Sequence, residues 1–121
     1  MDVTELRVYK QSLSAFLLIE EIAKQLPKEL SDVKRQILRC SKTLAPLIAE
    51  GFGRRISQKE FGRYTVQAMS SSDETITHLR IIALSKFNTV SINQLKEAAD
   101  VYKSISKQLN KLFSSIKKSD L

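Results

Sequence analysis

Apolar residues return at steps of three and four in four successive stretches of this chain, and the α-helix is the backbone that gathers such spacing onto one face. The first stretch carries Leu6, Tyr9, Leu13, Phe16, Leu17, Ala23 and Leu26, and the second Val33, Ile37, Cys40, Leu44, Leu47 and Ile48. The third runs through Phe61, Tyr64, Thr65, Ala68, Ser72, Thr75, Leu79, Ile82 and Lys86, and the fourth through Leu95, Val101, Tyr102, Ile105, Leu109, Leu112, Phe113 and Ile116. Local signals separate them. Pro27 closes the first, Ser31 or Asp32 offers a cap for the second, Ser57 with Glu60 three residues on reads as a capping box for the third, and Ser91 caps the fourth after a loop around Asn88. The predicted helices cover about 5–26, 32–52, 58–87 and 92–117, with a frayed tail from Lys117.

Four amphipathic helices on short links, with no alternating strand pattern, predict a single all-α domain over residues 1–121, an antiparallel up-down-up-down four-helix bundle. Three Gly and two Pro are too few for the turns of a β-sandwich. Pro46 is the irregularity: inside the second helix it removes one amide donor and crowds the carbonyl of Lys42, which predicts a bend or a restart. Gly51 and Gly53 predict the end of that helix, because glycine tolerates left-handed backbone.

Twenty Lys and Arg stand against thirteen Asp and Glu, a formal charge of +7, and this makes polyanions plausible partners. On a helical wheel Lys96, Lys103, Lys107, Lys111 and Lys118 fall within an arc of about 80°, nearly opposite the fourth apolar stripe, with Asp100 the one acid among them. Arg35, Arg39 and Lys42 fall within about 60° on the second helix. Arg54, Arg55, Lys59 and Arg63 follow across the next connection. Arginine grips phosphate oxygens with a planar fork, so Arg54 and Arg55 are the favoured contact site, with capping of the helix end as their alternative role. Most aromatic residues fall on predicted buried faces, Phe52 beside the basic turn excepted, so contact with phosphate and shape is expected over base stacking.

Recognisable catalytic chemistry is missing. The chain has no phosphate-binding loop, dinucleotide glycine fingerprint, nucleophile elbow or zinc-ligand pair, which argues against an enzyme and against a cofactor. The one histidine, His78, follows Glu74 by four residues, but the paired Glu-x-x-His motifs of carboxylate bundles are not present, so no metal is expected there and His78 reads as solvated or hydrogen-bonded. Glu50 and Glu74 read as ion-pair partners. The one cysteine, Cys40, reads as a small buried hydrophobe, and the cytoplasm is the expected compartment. No apolar run reaches the roughly 20 residues of a membrane span, and no signal peptide is expected.

The run from Gln36-Ile37-Leu38-Arg39 through Ile48-Ala49-Glu50-Gly51-Phe52-Gly53-Arg54-Arg55 resembles the hallmark of the four-helix bundle proteins encoded by intervening sequences of 23S ribosomal RNA genes. Leu6, Val8 and Tyr9 resemble the family's opening, Pro27 and Leu30 its first turn, and Ser57, Phe61, Ala68, Ser71, Glu74 and Leu79 its third helix. The resemblance implies a bacterial bundle assembled as a barrel-shaped homopentamer without enzymatic activity. It also implies kinship with accessory proteins of diversity-generating retroelements, which bind reverse transcriptase and nucleic acid. The family's usual Ser-Ile-Pro-x-Asn is here Thr43-Leu44-Ala45-Pro46-Leu47, with the proline displaced and the asparagine lost.

The expected function is therefore that of a basic, oligomeric nucleic-acid-binding protein, RNA before DNA. Its expected contacts are Arg35, Arg39, Lys42, Arg54, Arg55, Lys59, Arg63, Lys103, Lys107 and Lys111. The alternative is a scaffold that engages an acidic protein partner such as a reverse transcriptase.

Overall fold

The computed structural model describes residues 1–87 and 89–118, Lys118 by its backbone alone. A short 3-10 turn, Val3–Glu5, is closed by the Asp2 amide donating to Glu5 Oε2 at 2.7 Å, and α1 follows over Arg7–Lys24. After Pro27 a second 3-10 turn, Lys28–Leu30, runs directly into α2, Ser31–Gly53. Neither Ser31 nor Asp32 caps that helix, because the turn already leads the backbone into it; Ser31 is its first residue and Leu30 its N-cap. Helices α3 (Gln58–Leu84) and α4 (Ile92–Lys118) complete the chain.

The predicted caps of α3 and α4 are present. Ser57 Oγ accepts from the Glu60 amide at 3.2 Å, and Ser91 Oγ accepts from the amides of Asn93 and Gln94. The reciprocal half of the Ser57 box is replaced, since the Glu60 carboxylate turns to Arg63 instead. Helix α3 stops at Leu84, so Lys86, placed on its inner face by the sequence, sits exposed in the following turn. The fourth helix continues through Lys117, where a frayed tail is predicted. Asn88 and residues 119–121 lie outside the described residues.

One hydrophobic cluster draws on all four helices, and each helix packs on its sequence neighbours, with α1 also against α4. Contacts across α2 and α3 join Arg39 with Glu74, Cys40 with Thr75 and Thr43 with Ser71. Across α3 and α4, Ser72 Oγ donates to the Tyr102 carbonyl and Ser106 Oγ donates to Ser72 Oγ. Thr89 Oγ1 donates to the Gln25 carbonyl, pinning the α3–α4 link to the end of α1.

The inner face of α1 differs from the predicted one. Val8, Ser12, Ala15, Ile19, Ile22 and Ala23 are buried, whereas Leu13 and Leu17 are 48% and 59% exposed and Leu6, Tyr9 and Phe16 are half-buried. This segment carries two apolar stripes about 120° apart on the wheel. The stripe with the small residues Ser12 and Ala15 faces the core, where small side chains allow closer helix approach. The bulkier one remains outside.

Helix α2 runs unbroken across Pro46, with no restart. Pro46 and Lys42 are both on its exposed side, so the carbonyl that loses its amide partner is open to water. The helix ends at Gly53 as predicted, but not by left-handed backbone: no described glycine has a positive φ. Gly51 serves packing instead. A Cβ there would lie 2.8 Å from the Cβ of Tyr64, so the close approach of α2 to α3 requires glycine.

Candidate nucleic-acid interface

The lysine row of α4 stands as the periodicity places it. Lys96, Lys103, Lys107 and Lys111 are exposed on the side away from buried Leu95, Ala98, Tyr102, Ile105 and Leu109. Among the described residues none of these lysines has a carboxylate within ion-pair distance; the side chain of Lys118 lies outside them. Lys103 shares a shallow groove with Arg80 of α3, and Lys111 shares another with Arg7 of α1.

The arginines are more heavily engaged than their spacing suggests. Arg35 pairs with Asp32 at 2.6 Å, Arg39 with Glu74 at 2.5 Å, and Arg63 with Glu60 at 2.7 Å. Arg54 lies 3.5 Å from Glu50 and 3.7 Å from Glu60. The guanidinium groups of Arg54 and Arg63 both face the Tyr64 ring, 5.3 and 4.5 Å from its centroid. The Arg63 guanidinium holds the Glu60 carboxyl below the usual carboxylate range. These pairs are solvent-exposed and worth little in stability, so a phosphate can compete for the same guanidinium groups.

Among the described residues Arg55 has no carboxylate partner. Its guanidinium lies 4.1 Å from the centroid of the Phe52 ring and donates to the Phe52 carbonyl at 2.8 Å and to the Met1 carbonyl at 3.3 Å. It thus adds a side-chain donor to a carbonyl at the end of α2 that the Arg55 amide also reaches, at 3.2 Å. Phe52 beneath it is buried, 8% exposed, so its ring does not offer a stacking surface. Lys42 and Lys59 are exposed without a carboxylate partner among the described residues.

Folding brings together cations that are distant in the sequence. Lys59 and Arg63, on the first turns of α3, share an open groove of about 650 Å³ with Lys117 near the end of α4; Val66 and Phe113 form part of its floor. A Cβ at Gly62 would rest 3.5 Å from the Phe113 ring, an ordinary contact, so this approach does not depend on glycine. Lys117 escapes a sequence reading as a site residue because its register relative to α3 has no local signal. Arg35 and Arg39 belong to the outer side of α2, and Arg39 reaches across to α3.

The carboxylates read as ion-pair partners behave so, Glu50 with Arg54 and Glu74 with Arg39. Cys40 is fully buried on α2, and burial pushes its thiol above the ordinary range. His78 is mostly buried, with Nε2 3.4 Å from Glu74 Oε2. Among the described residues no helix is long and apolar enough to cross a membrane.

The family model described as 23S rRNA-intervening sequence protein matches residues 4–111, nearly the whole bundle, and the chain belongs to that family. A search of curated proteins returns no match.

Proposed function

We propose, taking that family membership as the premise, that this chain is a non-catalytic nucleic-acid-binding protein whose first ligand is structured RNA, contacted through phosphate. The observation that carries the reading is the α4 row of Lys103, Lys107 and Lys111, exposed and without carboxylate partners among the described residues. Lys59, Arg63 and Lys117 extend positive charge around the end of the bundle, with Arg54 and Arg55 beside them. Arg35, Arg39 and Lys42 would form a second contact strip on α2, with Asp32 and Glu74 exchanged for phosphate. Ammonium groups act as point charges, so affinity should track salt more than sequence.

The outward stripe of Leu13 and Leu17, flanked by Tyr9 and Phe16, supports self-association, and a homopentamer is the assembly proposed. Repetition of one weak basic surface around a ring raises avidity without new contacts. A cytoplasmic location accords with the buried free thiol.

Fluorescence anisotropy with a structured RNA and a duplex DNA, each titrated at several salt concentrations, tests the reading. Replacing Lys103, Lys107 and Lys111 by Glu should abolish binding near physiological salt. Replacing them by Gln should flatten the logarithmic salt slope by about two to three. No binding at low salt, or an affinity indifferent to the Glu variant, would overturn it.

A second reading, a scaffold for an acidic protein, is favoured by the apolar floor of the groove between Lys59, Arg63 and Lys117. Partner retention after nuclease treatment would favour the scaffold; loss would favour nucleic acid.

A further inference from the structure

The α2–α3 seam holds three different donor types together. One ligand atom from each of Cys40, Glu74 and His78 lies within 4.8 Å of the other two. Glu74 and His78 are one turn apart on α3, so their side chains leave the same face of that helix. Cys40 comes from α2, its Sγ against Thr75 Oγ1 at 3.2 Å, and Thr75 is the residue after Glu74. The sequence separates Cys40 from Glu74 by more than an entire helix, which is why Glu74-x-x-x-His78 alone points to no metal.

We propose that Cys40, Glu74 and His78 form a binding site for a thiophilic divalent cation, with Zn²⁺ as the ion of choice. A thiolate, an imidazole and a carboxylate are the donor types such an ion takes, and harder cations such as Mg²⁺ prefer oxygen alone. Tetrahedral coordination at about 2.0 to 2.3 Å places donor atoms roughly 3.3 to 3.8 Å apart. His78 Nε2 and Glu74 Oε2 are already at 3.4 Å, and a ligand atom of each residue in the trio lies within 4.8 Å of the others.

Two further polar atoms bear on the cluster. Among the described residues His78 Nδ1 is buried without a hydrogen-bond partner, and so is the hydroxyl of Tyr102, a fully buried residue of α4 close enough to Cys40 for the thiolate charge to act on it. Buried polar groups are normally paired, and with Nδ1 unspent the His78 imidazole is not committed elsewhere and can turn a nitrogen to an ion. Cation binding replaces the proton of the buried Cys40 thiol, so one proton passes to solvent for each cation bound. The ion enters from the side of Glu74 and His78, which are part-exposed.

Arg39 opposes the ion. Its guanidinium occupies Glu74 Oε2 at 2.5 Å, and its positive charge raises the cost of a second cation there. Removing it should tighten metal binding, a direction that adventitious binding at an exposed imidazole does not share. The proposal stands independently of nucleic-acid binding.

The test uses the untagged full chain, reduced and freed of metal, titrated with Co²⁺ as an optical probe and then with Zn²⁺ in competition. One Co²⁺ per chain should bind with a thiolate-to-cobalt charge-transfer band, and Zn²⁺ should remove that band. Cys40→Ser should abolish it, His78→Gln and Glu74→Gln should weaken Co²⁺ binding by about tenfold or more, and Arg39→Gln should strengthen it. Circular dichroism of each metal-free variant checks folding. If Cys40→Ser does not fold, the more exposed His78→Gln and Arg39→Gln variants still decide the matter. Absence of the band in the wild type at millimolar Co²⁺ would overturn the site, as would a band that neither His78→Gln nor Glu74→Gln weakens.

Discussion

Gly51→Ala should be destabilising although alanine is the better helix former. The new Cβ would meet the Tyr64 Cβ at 2.8 Å, with the Phe61 carbonyl oxygen at 3.6 Å. The first contact is with the root of a side chain fixed to the α3 backbone, so no rotamer change relieves it; α2 and α3 must move apart. Overpacking of this kind costs about 1 to 3 kcal/mol, against an intrinsic gain of up to about 1 kcal/mol for replacing glycine within a helix. Gly53 is the internal control. It ends the same helix, has no atom within 4 Å of the position a Cβ would take, and lacks a positive φ, so Gly53→Ala should be neutral or slightly stabilising. The difference between the two variants isolates the steric cost, about 1 to 3 kcal/mol. Urea unfolding followed by circular dichroism, at one protein concentration, measures it as a fall in midpoint at constant m-value. A double-mutant cycle sharpens the test: Tyr64→Gly removes the opposing Cβ and should couple to Gly51→Ala, whereas Tyr64→Ala keeps that atom and should not. A Gly51→Ala protein as stable as Gly53→Ala would refute the close-approach account.

Other perturbations follow from the same structure. Tyr102→Phe removes a buried hydroxyl that has no partner among the described residues and should leave the metal-free protein as stable or more stable by about 1 kcal/mol; a loss above that in urea titration would show an unrecognised hydrogen bond. The Cys40 thiol is raised by burial, so its contribution to stability is complete below the ordinary thiol range and is lost as pH climbs through the folded value; Cys40→Ala should remove that alkaline decline, measured without metal. If the chain self-associates as proposed, Leu13→Glu with Leu17→Glu should lower its mass to the monomer's by light scattering while helicity persists; an unchanged mass would remove this stripe from the proposed contact. Glu60→Gln removes the charge paired with Arg63 and the farther of the two near Arg54, and should tighten the proposed RNA binding on the order of tenfold at low salt; unchanged affinity would remove Arg63 from the interface.

Local chemistry makes much of the fold legible. Ser57 and Ser91 offer hydroxyls to amides two or three residues ahead, and Pro27 stops a helix by lacking a donor, so these boundaries need no tertiary information. The outward direction of Lys103, Lys107 and Lys111 is likewise local, because it follows from phase against a single strong apolar stripe. Helix α1 has two such stripes, and a wheel cannot choose between them. The choice depends on which one interlocks with α2 and α4, and the small side chains of Ser12 and Ala15 decide it.

Register between helices is the least legible property, and the arginines show its consequence. Their counter-charges come partly from the same helix, as with Asp32 beside Arg35, and partly from across a seam, as with Glu74 beside Arg39. Spacing identifies Glu50 and Glu74 as ion-pair partners without saying which cations they hold. The α2–α3 register that makes these pairs runs from Gly51 against Tyr64, through Thr43 against Ser71, to Cys40 against Thr75. A steric change at Gly51 therefore acts beyond its own contact. Because helices move as rigid rods over this distance, separation at Gly51 should also disturb the Cys40, Glu74 and His78 cluster and the Arg39 ion pair, coupling the packing of one glycine to the charge pattern of the seam.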